Sequence, residues 1–109
     1  MASKKKFDMK TYEVRIHPGC DLSRVEDVVE ECCRKAGLEV TIKRSLRSYP
    51  RSIHWHFKKT GGLRGTLEFT LWKEKHKAWF SVHDNRKGVW VDGLIDSLRR
   101  SIESKITAG

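Results

Sequence analysis

The sequence predicts an α+β fold: a two-layer sandwich in which a five-stranded antiparallel sheet carries both helices on one face. Three observations predict it. Five segments alternate apolar and polar residues with a period of two, and two segments repeat apolar residues at spacings of three and four. The connections between the last four strands are short enough for antiparallel hairpins. At 109 residues there is room for one core.

Residues 1–10 read as a flexible basic leader carrying Lys4 to Lys6, and residues 11–109 as a single domain. Thr11 to His17 alternates, with Tyr12, Val14 and Ile16 on one side, and Pro18-Gly19 ends this strand. Asp21 or Ser23 can cap the first helix, whose early turns hold Glu26, Asp27, Glu30 and Glu31. Leu22, Val25, Val28, Val29, Cys32 and Ala36 form its inward stripe, and Gly37 follows as a C-terminal cap.

Four strands then succeed one another. Leu38 to Arg47 puts Val40, Ile42 and Leu46 inward, with Arg44 an imperfection in that row. Ile53, Trp55 and Phe57 alternate with His54, His56 and Lys58; Leu67, Phe69 and Leu71 with Glu68, Thr70 and Trp72; Ala78, Phe80 and Val82 with Trp79, Ser81 and His83. The connections are Ser48–Arg51, the glycine-rich Thr60–Gly65 segment, and Glu74–Lys77. A second helix runs from about Trp90 to Lys105 with Asp92 as its cap, and its stripe is Val91, Leu94, Ile95, Leu98, Ile102 and Ile106.

The net charge of +9 is unevenly spread. Residues 1–37 carry eight Lys/Arg against seven Asp/Glu, residues 38–88 twelve against four, and residues 89–109 three against three. The excess belongs to the strands, which points to a polyanionic partner.

Two helices on one face leave the other face open. Hairpins turning at Tyr49-Pro50, near Gly62 and through Glu74–Lys77 would set three rows there: Lys43-His56-Glu68-His83, Ser45-His54-Thr70-Ser81 and Arg47-Ser52-Trp72-Trp79. Aromatic rings among basic groups suit nucleic acid, because bases stack on rings while Lys and Arg meet phosphates. The expectation is sequence-tolerant binding of DNA or RNA, with Trp72, Trp79 and His54 stacking, His56 and His83 beside them, and Lys43, Arg47, Lys58 and Arg64 on phosphate. Lys59, Lys73, Lys75, Lys77, Arg86 and Lys87 would rim the face at its hairpin ends. The rival expectation is a protein partner or homodimer that buries the Trp pair.

Chemistry beyond binding has thin support. His54-Trp55-His56 sets two imidazoles on one face of a strand, and Glu68 on the next strand would complete a two-histidine, one-carboxylate metal set; the simpler reading is a hydrogen-bonded His–Glu pair. Cys20 precedes the first helix and lies close to His17, but Pro18-Gly19 separates them, and an ordinary loop cysteine is the simpler reading. Cys20, Cys32 and Cys33 show no metal-ligand spacing and read as reduced thiols of a cytoplasmic protein. The glycine-rich segment lacks the Lys-Ser/Thr of a phosphate-binding loop. No catalytic constellation or cofactor fingerprint emerges, an enzyme is not expected, and no apolar run is long enough to cross a membrane.

The order of strands and helices over residues 11–106 resembles one repeat of the TATA-binding-protein fold. The resemblance lies in element order alone. It implies a curved antiparallel sheet that offers its open face to DNA, and it transfers no residue roles, since that family's apolar wedges have no counterpart here.

Overall fold

The computed structural model describes residues 9–83 and 88–108. The elements are β1 (Met9–Val14), α1 (Leu22–Lys35), β2 (Leu38–Leu46), β3 (Tyr49–Lys59), β4 (Leu67–Trp72), β5 (Lys77–His83) and α2 (Val89–Ala108), with a 3₁₀ turn at Lys73–Lys75. The strands form one five-stranded sheet in the order β1-β5-β4-β3-β2, every neighbouring pair antiparallel. The fold is α+β, as the periodicities require.

Burial follows those periodicities except in β2, where the expected inward residues Val40 and Ile42 are exposed, Leu46 is partly buried and only Leu38 is buried. Val25, Val28, Val29, Cys32 and Cys33 of α1 and Val91, Ile95, Leu98, Ile102 and Ile106 of α2 share one apolar cluster with Val14, Trp55, Phe57, Leu67, Phe69, Leu71, Ala78, Phe80 and Val82. Phe69 stands at its centre, edge-on to Phe80 at 4.7 Å and tilted against Trp55 at 5.6 Å. Asp21 caps α1, its carboxylate accepting from the Ser23 amide at 3.0 Å. After Ala36 the chain reverses at Gly37, whose φ of +85° is the left-handed conformation that glycine adopts without strain.

Several boundaries differ from the expectation. Met9 and Lys10 belong to β1, which ends at Val14 rather than His17; the rest of the basic leader lies outside the described residues, as do Arg86 and Lys87. Asp92 is not a cap, because α2 already begins at Val89 and Asp92 sits within its first turn. The first turn of α1 holds no acidic residue, so Glu26 and Glu30 project from the body of the helix instead of facing its end.

The hairpins place the polar face. For β3 and β4 the register matches the expectation residue by residue: Ser52 opposite Trp72, His54 opposite Thr70, His56 opposite Glu68. Between β4 and β5 the 3₁₀ turn, closed by His76 in the left-handed region, shifts pairing by two residues. Trp72 therefore meets Lys77, and Thr70 meets Trp79. A shift of two preserves which face each side chain takes.

The β2–β3 hairpin differs more. It turns through Arg47-Ser48, with Leu46 paired to Tyr49, so Tyr49-Pro50-Arg51 belongs to β3 and not to the connection. A second irregularity falls at Thr41, between the pairs Val40–Phe57 and Ile42–His56. One extra residue reverses the side-chain alternation beyond it. Ile42 and Arg44 thus join His56 and His54 on the polar face, while Lys43 pairs with Trp55 and turns toward α1. The expected place of Lys43 in the polar row is wrong.

Candidate functional site

Lys43 has a structural environment of its own. Its ammonium lies 2.6 Å from Glu30 and 2.9 Å from Glu26, and 5.6 Å from the centre of the Trp55 ring. The hydrogen bonds to Glu30 and Glu26 raise its pKa. Glu30 also accepts from the Trp55 indole N–H at 2.8 Å. Burial works to raise the Glu30 pKa, but the bonds from Lys43 and Trp55 outweigh it and hold the carboxyl below its usual range. These contacts tie β2 to α1 and keep the Lys43 charge away from the polar face.

On that face two distinct groups of side chains stand side by side. The first is a buried polar cluster in the middle of β3, β4 and β5: Ser52, His54, Glu68, Thr70 and Ser81 are all nearly inaccessible. His54 is 6% exposed and Glu68 5%, which corrects the expectation that His54 stacks on a base, since its ring offers no free face. Its Nδ1 lies 2.8 Å from the Thr70 hydroxyl and its Nε2 3.2 Å from Glu68 Oε1. Glu68 draws two further imidazoles, His56 Nε2 at 3.8 Å from Oε2 and His83 Nε2 at 3.4 Å from Oε1. Burial pushes the Glu68 carboxyl upward, but the His54 hydrogen bond and the fields of His56 and His83 more than offset it, leaving a net lowering. Among the described residues no buried side-chain nitrogen or oxygen lacks a partner.

The second group is aromatic and only half-buried. Tyr49, brought into β3 by the early turn, stands edge-on to Trp72 at 4.8 Å and to Trp79 at 5.4 Å. The Trp72 indole N–H donates to the Pro50 carbonyl at 3.0 Å, fixing the ring. Together with Thr11, Glu13 and Lys77 these rings line an open hollow of about 340 Å³. Trp72 and Trp79 do share a face as expected, but as diagonal neighbours with Tyr49 wedged between them. Tyr49, Ile42 and Arg44 are members of this face that pattern reading missed. Arg44 had left a signal, a cation in an apolar row.

The remaining expected residues scatter. Arg47, Lys58 and Arg64 are exposed, Arg47 in the β2–β3 turn and Lys58 near the far end of β3. The Arg64 carbonyl accepts from the Trp90 indole at 2.8 Å. Lys59 donates to the Ala36 carbonyl behind the sheet, and Lys73 lies 3.8 Å from Glu26. The Cys20 thiol bonds the Asp21 carbonyl at 3.7 Å, and its amide the His17 carbonyl at 3.0 Å. His17's carbonyl is also 2.6 Å from His76 Nε2, so the contacts of this loop are structural. Among the described residues no helix is long and apolar enough to cross a membrane.

Compared with known proteins, the chain matches no family model, no curated protein and no solved structure.

Proposed function

We propose that the polar face of the sheet binds single-stranded nucleic acid with little sequence preference, using its aromatic end as a stacking platform. The carrying observation is the half-exposed Tyr49-Trp72-Trp79 group, three rings gathered at one end of a face whose middle is polar. A cross-strand aromatic contact stabilises by about 0.5–1.5 kcal/mol, which accounts for rings touching but not for leaving them open beside a hollow. Bases stacked on such rings contribute about 1–3 kcal/mol each, whatever their identity. Exposed Arg44, Arg47 and Arg51 lie on β2, the adjoining turn and β3, and Lys77 adjoins Trp72 in register. They supply the cations that a phosphate backbone needs. Lys58 and Arg64 extend the positive charge toward the other end of the sheet.

Tryptophan fluorescence titration with single-stranded and duplex oligonucleotides at two salt concentrations tests this reading. Saturable quenching that weakens with salt and favours single strands is expected. Replacing Trp72 and Trp79 together by Ala should weaken binding by at least about tenfold. Arg44→Ala should reduce the salt slope by about one phosphate contact, and Lys43→Ala should leave affinity nearly unchanged. Unchanged affinity in the double Trp variant sinks the stacking idea. No quenching, together with a concentration-dependent mass lost in Trp72→Lys, would favour a second copy of the chain on the same rings.

A further inference from the structure

The histidine cluster adjoins the aromatic platform, and stacking makes no use of it. Strand alternation puts His54 and His56 on the same side of β3, and antiparallel pairing sets Glu68 of β4 directly opposite His56. One ligand atom from each of these three residues falls within 4.8 Å of the others. We propose that His54, His56 and Glu68 bind a single divalent transition-metal ion of the zinc class, independently of nucleic acid.

The geometry suits such an ion. Tetrahedral zinc with bonds of about 2.0–2.1 Å holds neighbouring ligand atoms about 3.3 Å apart. The His54 Nε2 to Glu68 Oε1 distance is 3.2 Å, and the His56 Nε2 to Glu68 Oε2 distance is 3.8 Å. The two contacts use different oxygens of the carboxylate, and one donor from each residue lies within 4.8 Å of the others, so side-chain turns would bring the three donors to a common centre. The set is two imidazoles and one carboxylate, a combination that suits zinc or ferrous iron. Thr70 completes the pattern expected around a metal-binding histidine. Its hydroxyl lies 2.8 Å from His54 Nδ1, so the ring is oriented with Nε2 toward the carboxylate, as an outer hydrogen-bond partner does for a metal ligand. Three protein ligands leave a fourth position for water or an anion. His83, the most exposed of the three imidazoles around Glu68, lies 3.4 Å from its Oε1.

Cobalt titration of chelator-treated protein prepared without an affinity tag tests the site, with no oligonucleotide present. One equivalent of Co²⁺ should bind saturably, develop the visible absorption of low-coordinate cobalt, and be displaced by Zn²⁺. Zinc should also raise the thermal midpoint. Thr70→Val should weaken cobalt binding by about 10–100-fold, His56→Ala should abolish the absorption, and His17→Ala should leave it intact. His56 is only half-buried, so its variant keeps the test decisive if Glu68→Gln fails to fold. Absence of saturable binding at micromolar Co²⁺ and Zn²⁺ overturns the proposal. So does wild-type affinity in a folded His56→Ala protein.

Discussion

Glu68 is the most constrained side chain of the polar face, a buried carboxylate approached by three imidazoles on two strands. Its pKa is lowered from 4.5, the hydrogen bond to His54 and the fields of His56 and His83 outweighing the effect of burial. A depressed carboxyl pKa contributes stability that is fully present above the unfolded value and lost as pH falls through the folded value. The stability gap between wild type and Glu68→Gln should therefore shrink as pH falls below about 5, measured by urea unfolding in metal-free buffer at stepped pH. A gap that does not change with acid would show that the carboxylate's charge contributes nothing to folding. Lys43 illustrates how strongly a neighbour decides a residue's role. A side chain that pattern reading assigned to phosphate spends its charge on Glu26 and Glu30.

The entrances to β4 and α2 meet at a point where neither can carry a side chain. A methyl group on Gly88 would collide with the Arg64 carbonyl and the Trp90 indole, and one on Gly65 with the backbone of Gly88. Gly65 also holds φ at +117°, a conformation L-residues rarely adopt. The close approach lets Trp90 donate to the Arg64 carbonyl at 2.8 Å. Gly88→Ala and Gly65→Ala should each destabilise by about 1–3 kcal/mol, seen as a lower urea midpoint with an unchanged slope. Gly62→Ala meets no atom but shares the positive φ of its neighbours, so it isolates the backbone contribution and should cost less than Gly65→Ala. Equal losses at Gly62 and Gly65 would mean the contact with Gly88 is unimportant.

In the molecule as a whole, the core controls which thiols can react. Cys32 and Cys33 belong to the apolar cluster behind the sheet and are 5% and 0% exposed, whereas Cys20 is partly accessible. Burial raises the thiol pKa at Cys32, and at Cys33 far above its ordinary value. Neither forms thiolate readily, and thiolate is the reactive species. Native protein should take up one equivalent of a thiol reagent rapidly, at Cys20, and three after denaturation, as mass spectrometry would count them. Rapid labelling at Cys33 would show that α1 opens locally without global unfolding.

How much of this was legible in the chain depends on the range over which each feature is decided. The stripes of α1 and α2, the inward rows of β3, β4 and β5, and the β3–β4 pairing all follow from periodicity and a glycine-rich turn. Such signals lie in neighbouring residues, so a sequence carries them in full. They already placed His54, His56 and Glu68 together. The face taken by Lys43 and Arg44, the inclusion of Tyr49 in β3, and the offset of Trp72 from Trp79 came from elsewhere. Each rests on where a strand bulges or a turn begins: the irregularity at Thr41, the early reversal at Arg47-Ser48, and the 3₁₀ turn with left-handed His76. A bulge is stabilised by what the re-aimed side chains reach, here Glu26 and Glu30 on the preceding helix once it has packed against the sheet. Local pattern cannot encode that choice, because the competing registers differ in contacts that exist only once helix and sheet have packed.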